Sequence, residues 1–151
     1  MRTSCRFAMA VHVLTVLAYH NDQRVTSEWL ASSVNTHPVV VRRLLLALQA
    51  ARLVKTRQGA GFGSRLARSP ARIQLAQVYR AVETDEPFVM PRGKPNPDCP
   101  VGHCIQSELR EVFLSARSAL ERELRKTTLA DVLGQVNACC SRSSRVGLIS
   151  S

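Results

Sequence analysis

The stretch His37-Pro38-Val39-Val40-Val41-Arg42-Arg43-Leu44-Leu45-Leu46-Ala47-Leu48 decides the reading of this chain. Proline at the first position of a helix costs no hydrogen bond, because the N–H it lacks would be unpaired there anyway. A helix therefore starts at this point. Val41, Leu44, Leu45 and Leu48 recur at helical spacing on one face, and Val39, Arg42, Arg43 and Leu46 fall on the other. Upstream, Thr26 or Ser27 can cap a short helix running to Val34, with Glu28 in its first turn where the helix dipole favours an anion. A helix, the tight turn Asn35-Thr36 and a second helix with paired arginines near its start form the outline of a helix-turn-helix.

Downstream, Leu53-Val54-Lys55-Thr56-Arg57 alternates as a strand does, Gly59-Ala60-Gly61-Phe62-Gly63 forms a turn, and Ser64-Arg65-Leu66-Ala67-Arg68 returns. A basic hairpin directly after a helix-turn-helix reads as a wing. The glycine pattern could also suggest a phosphate cradle, but no Lys-Ser or Lys-Thr follows, as a nucleotide loop requires. Upstream, Ser4 to about His20 is helical and apolar on more than one face, so it packs against its own domain and against a further surface. Ile73 to Glu83 reads as a fourth helix. Pro87, Pro91, Pro95, Pro97 and Pro100 exclude a regular element from Thr84 to His103. A long helix then runs from Ile105 to about Lys126 with a stripe of Ile105, Leu109, Val112, Phe113, Ala116, Leu120 and Leu124. Thr128 and Asp131 form a capping box for a short helix ending near Val136.

The fold class expected is mainly α with a small β-hairpin: a winged helix-turn-helix domain over 1–83, a proline-rich loop over 84–103, a dimerisation helix with a short C-terminal helix over 104–137, and a flexible Ser-rich tail over 138–151. The stripe on the long helix exceeds what a small winged domain can cover, which points to a homodimer built on it and on the second face of the first helix.

Charge indicates the partner. The 151 residues carry a formal net charge of +10, and 18 of the 21 basic residues are arginine. Residues 1–72 hold eleven Lys or Arg against Asp22 and Glu28, whereas 73–151 hold ten against nine acidic residues. A polyanion is the expected partner, and arginine suits phosphate and guanine edges, although a GC-rich genome would also enrich it. No apolar run approaches the roughly 18 to 20 residues of a membrane helix, and the start Met1-Arg2-Thr3-Ser4-Cys5-Arg6 lacks the pattern of a signal peptide. Five cysteines, an odd number at irregular spacing, fit reduced thiols in the cytoplasm.

Together these segments resemble the Rrf2 family of bacterial winged-helix transcription regulators, a group that includes iron-sulfur, nitric-oxide-sensing and cysteine-metabolism regulators. The resemblance covers residues 1 to about 137. It is carried by Phe7-Ala8-Met9-Ala10-Val11-His12, Pro38-Val39-Val40-Val41-Arg42-Arg43-Leu44-Leu45, the glycine turn 59–63, Tyr79-Arg80-Ala81-Val82-Glu83 and Asn96-Pro97-Asp98-Cys99-Pro100-Val101-Gly102. It implies a homodimer that binds partly palindromic double-stranded DNA, usually as a repressor. His37, Val39, Arg42 and Arg43 are then expected in the major groove, and Arg57, Gln58 and Arg65 at the minor groove or its phosphates. Gln58 stands between Arg57 and Gly59, which displaces the wing arginine by one position from the usual family pattern.

Family members with an iron-sulfur cluster place three cysteines before the long helix; this chain has Cys99 and Cys104 alone. Two thiolates do not complete a four-ligand site, and no cofactor is expected. The alternative is a cluster completed by His103 or by His12, the latter from a partner chain. A thiol switch at Cys99 or Cys104, and plain packing of both, are the other readings. A thiol oxidoreductase is the rival enzyme, disfavoured because no βαβ pattern surrounds the cysteines. A basic RNA-binding protein is disfavoured by the seven aromatic residues, too few for a stacking platform.

Overall fold

A computed structural model describes residues 4–21 and 23–146 of the chain. Asp22, the first three residues and the last five lie outside the described residues, and with them part of the leader and tail expectations. The order is α1 (Arg6–Tyr19), α2 (Ser27–Val34), α3 (Pro38–Ala50), β1 (Val54–Arg57), β2 (Gly63–Leu66), a 3₁₀ turn (Pro70–Arg72), α4 (Leu75–Val82), α5 (Pro100–Leu124) and α6 (Leu129–Val146).

The helix boundaries follow local chemistry. The Thr26 hydroxyl accepts from the Trp29 backbone N–H at 3.2 Å and starts α2. Asn35, at φ 59°, stops it in the left-handed conformation that Asn tolerates. His37 caps α3 through Nδ1, which accepts from the Val39 N–H at 3.2 Å, and Pro38 follows at the first helical position. Val41, Leu44, Leu45 and Leu48 are all buried, while Val39, Arg42, Arg43 and Leu46 stand exposed. The core gathers Leu14 and Leu17 of α1, Leu30 of α2, Leu44 and Leu48 of α3, Leu53, Ile73 and Leu129. Each removes apolar surface from water, the main driving force of such a small domain.

β1 and β2 pair antiparallel from Val54 opposite Leu66 to Arg57 opposite Gly63. On its other edge β2 meets Val25, which exchanges two backbone hydrogen bonds with Ser64 at 2.8 and 2.9 Å and anchors the wing to the segment before α2. Gly63 makes this possible. Its φ is 126°, and a Cβ there would lie 3.0 Å from the Val25 carbonyl oxygen.

The C-terminal half departs from expectation in two places. First, α5 begins at Pro100, so the proline-rich loop ends at Cys99 and not at His103; Pro100 starts this helix as Pro38 starts α3. Second, the last helix does not stop near Val136 but continues to Val146, so the expected flexible tail from 138 is helical as far as it is described. Neither Gly nor Pro interrupts residues 135–146, and Ala138, Cys139 and Cys140 tolerate a helix, so the serines that suggested disorder do not break it. The Ser141 hydroxyl donates to the Asn137 carbonyl one turn back, at 3.0 Å. At the other end of the chain, Cys5 is exposed at the N-cap of α1 and makes no side-chain cap there. That helix end is capped instead by Glu83, whose Oε1 accepts from the Phe7 N–H at 3.0 Å and the Ser4 hydroxyl at 2.9 Å.

The start of α6 belongs to the same core. Leu129 is fully buried, its N–H donates to the Ile73 carbonyl at 2.8 Å, and the Leu75 N–H donates to the Thr127 carbonyl at 3.0 Å. The capping box forms as expected: the Asp131 N–H donates to the Thr128 hydroxyl oxygen and the Asp131 carboxylate accepts from the Thr128 N–H. α5 is different: none of its 25 residues is buried.

Candidate nucleic-acid interface

α3 and the wing enclose a groove of about 500 Å³ that gathers Arg42, Gln49, Arg57, Gln58 and Phe62. Arg42 reaches it from the second turn of α3. Arg57 ends β1, and Gln58 opens the glycine turn that carries Phe62 at its tip. Among the residues expected to meet nucleic acid, the fold therefore brings Arg42, Arg57 and Gln58 to one cleft. His37, Val39 and Arg43 lie exposed on the first turns of α3 but do not line that cleft. The His37 ring is engaged as the helix cap.

Arg65 lies elsewhere. It sits opposite Lys55 in the hairpin and half-buried, lining a second, polar groove with Asn21, Lys55, Arg68 and Ser69. Its Nε is buried without a hydrogen-bond partner among the described residues. This groove gathers three cations from β1, β2 and the segment after it, so its chemistry suits an anion, and phosphate is the anion a wing would meet.

Leu46 and Phe62, exposed at 68% and 59%, also line the cleft; the sequence places Leu46 on the outer face of α3 and Phe62 in the glycine turn, but names neither as a contact. It also missed the partner of Arg42. The Arg42 guanidinium forms an ion pair with Glu28, and its Nε donates to the Ser27 hydroxyl at 3.3 Å. A hydrogen bond from its own backbone N–H, then the Arg42 guanidinium, hold the Glu28 carboxyl below its ordinary range.

The sensing candidates are separate from this face. Cys99 is the N-cap of α5 and Cys104 lies in its second turn, both exposed. The His103 N–H donates to the Cys99 carbonyl at 2.9 Å. The turn before the helix is tight. The Asp98 N–H donates to Asn96 Oδ1 at 3.0 Å, and a Cβ at Gly102 would lie 2.4 Å from the Asn96 carbonyl oxygen. His12 lines a largely apolar groove between α1, α2 and α6 that includes neither cysteine, and there its Nε2 is 3.1 Å from the Ser33 hydroxyl. Among the described residues of one chain, no three His, Cys, Asp or Glu side chains stand together as a metal site would need. Cys99 and Cys104 supply two of the four ligands that an iron-sulfur cluster takes.

The sequence profile of the Rrf2 family, described as iron-dependent transcriptional regulators, matches residues 3–135. The chain belongs to the Rrf2 family. It is 42% identical over 131 residues to YwnA of Bacillus subtilis, named as an HTH-type transcriptional regulator, covering 87% of this chain and 96% of YwnA. Among solved structures, a DNA-binding protein is 40% identical, with 85% of this chain and 98% of that one covered and a TM-score of 0.69. CymR, the global cysteine regulator of Bacillus subtilis, shares the fold at 23% identity and a TM-score of 0.65, with 89% and 98% covered. The winged-helix architecture and the resemblance to the Rrf2 family are as expected from the sequence. Rrf2 membership makes this chain a transcriptional regulator and not an oxidoreductase. No helix among the described residues is long and apolar enough to cross a membrane.

Proposed function

We propose that this Rrf2 protein binds a palindromic DNA operator as a homodimer in the cytoplasm, represses transcription there, and is controlled by the redox state of Cys99 and Cys104. The observation that carries the DNA-binding reading is the cleft between α3 and the wing, where Arg42, Arg57 and Gln58 converge. Phosphate contacts from the wing would set register while side chains from the start of α3 read base edges. In this reading His37, Val39 and Arg43 flank the contact on α3, and Arg65 takes a phosphate on the far side of the wing.

The dimer is supported by α5. Val101, Ile105 and Val112, on one face of the helix, are 67%, 36% and 59% exposed, and no residue of α5 is fully buried within one chain, a surface that a second copy would cover. The thiol reading rests on the position of the cysteines. Five residues along a helix advance about 7.5 Å at ~1.5 Å per residue, beyond the Cα separation of about 4.4–6.8 Å that a disulfide spans. Joining Cys99 to Cys104 would therefore unwind the first turn of α5. In that step the two thiols lose two electrons and two protons to an oxidant such as diamide, which is reduced to its hydrazine. A cluster shared with His12 or His103 of a second copy is the competing reading, favoured by the family description as iron-dependent.

The test selects duplexes from a randomised pool with the full chain. A two-fold symmetric motif with half-sites about one turn (~34–36 Å) apart is expected; enrichment of no duplex overturns the proposal. With that duplex, diamide should weaken the wild-type chain and leave Cys99→Ser and Cys104→Ser unchanged. Identical responses from all three overturn the thiol reading, and stoichiometric iron with acid-labile sulfide in anaerobically purified protein would replace it with the cluster.

A further inference from the structure

Glu28 is out of place in its surroundings. After it the chain has no acidic residue until Glu83, while nine Lys or Arg occur between them. The last carboxylate before this basic stretch sits at the start of α2 and is spent on one guanidinium, that of Arg42, across 14 residues of sequence. Arg43, the next residue, is also exposed, yet it is not the one taken.

The geometry of the contact indicates what it does. Arg42 uses its Nε–H on the Ser27 hydroxyl at 3.3 Å and one Nη2–H on Glu28. That occupies one edge of the planar fork. The remaining N–H groups are on Nη1 and on the outer side of Nη2, a parallel pair that matches two acceptors side by side, as O6 and N7 of guanine are. Arg42 also lines the cleft between α3 and the wing.

We infer that Glu28 is a positioning residue for Arg42: with Ser27 it fixes the guanidinium so that its outer N–H pair faces a base edge, and it cancels the charge Arg42 would otherwise lend to sequence-independent phosphate binding. Glu28 thus trades general affinity for discrimination. This rests on the DNA-binding reading proposed above. A long arginine without such a brace has many rotamers and takes whichever phosphate is nearest, whereas a braced one offers two donors in one fixed direction.

The experiment compares wild type, Glu28→Gln, Arg42→Ala and the double variant, all as the full chain, on the duplex selected from the random pool and on single-base-pair variants of it. Arg42→Ala identifies the position that Arg42 reads. Glu28→Gln should bind every duplex more tightly, steepen the log–log dependence of affinity on salt by about 1, and lose roughly five- to tenfold of the discrimination at that same position. In the Arg42→Ala background the Glu28→Gln change should move neither the salt slope nor discrimination. Unchanged discrimination in Glu28→Gln overturns the inference, as does an equal effect of Glu28→Gln with and without Arg42, which would mark a general charge effect. Circular dichroism melts confirm that each variant is folded. If the wild-type chain selects no duplex, the DNA-binding reading fails first and the inference with it; if it does and Glu28→Gln behaves as wild type, the inference alone fails.

Discussion

The Nε of Arg80 on α4 donates to Oε2 of Glu121 on α5 across 3.1 Å. Glu121 is the less exposed partner, at 18%, and it also faces Arg117 at 3.9 Å and Arg125 at 3.7 Å. It is the point where the winged domain holds the long helix, helped by Phe88 stacked on Phe113 at 5.2 Å and by the ion pair of Arg117 with Glu86.

Glu121→Gln is expected to cost about 1 kcal/mol, the upper range for ion pairs whose arginines remain in solvent, and to lower Tm by about 2–4 °C for a chain of this size. Thermal melts at low salt and at 1 M salt check this. The difference should shrink at high salt, because the lost interaction is screened.

Leu129→Ala should be far more severe. Leu129 is fully buried among residues of the winged domain, and truncating such a leucine costs about 2–5 kcal/mol through lost transfer energy and the cavity left behind. Urea denaturation should show a lower midpoint with an unchanged slope. A loss below 1 kcal/mol would mean that α6 does not close the core.

Gly63→Ala should loosen the wing. The positive φ and the Val25 carbonyl oxygen 3.0 Å from the added Cβ together set a cost of about 1–3 kcal/mol. Amide exchange at Val25 and Ser64, whose mutual hydrogen bonds depend on that approach, should accelerate. Gly59→Ala, where nothing lies within 4 Å of the added atom, should leave those two amides unchanged.

Asp131 gives a pH dependence with a definite sign. Hydrogen bonds from the Thr128 backbone N–H and then its hydroxyl hold the Asp131 carboxyl below its ordinary range. A carboxyl lowered on folding contributes stability above its unfolded pKa and loses it as pH falls through the folded one. Stability of the start of α6 should thus decline as pH drops below the ordinary carboxylate range. Asp131→Asn should flatten that decline in denaturation curves measured across the acid range.

Much of this was legible in the sequence because it is written in local chemistry. Thr26, the pair His37-Pro38 and the pair Thr128/Asp131 each fix a helix start within one turn, and the glycines at 59, 61 and 63 fix the wing. The same proline signal at Pro100 was hidden by four other prolines before it. The extent of α6 was hidden by serines that disfavour a helix without forbidding it. The pairing of Arg42 with Glu28 was not legible at all: each residue could be assigned to its helix, but only the angle at which α2 and α3 cross decides that these two meet and that Arg43 does not. In the same way, the separation of Arg65 from the α3 cleft depends on strand register, which alternation in the sequence specifies only once the pairing partner is known.

The most direct test of the account is hydrogen–deuterium exchange on the full chain with and without its selected duplex. Protection is expected at the start of α3, around Val39 to Arg43, and along the wing from Val54 to Leu66. Protection confined to α5 or α6, with α3 and the wing unchanged, would contradict the claim that the cleft holding Arg42 and Arg57 is where this protein meets DNA.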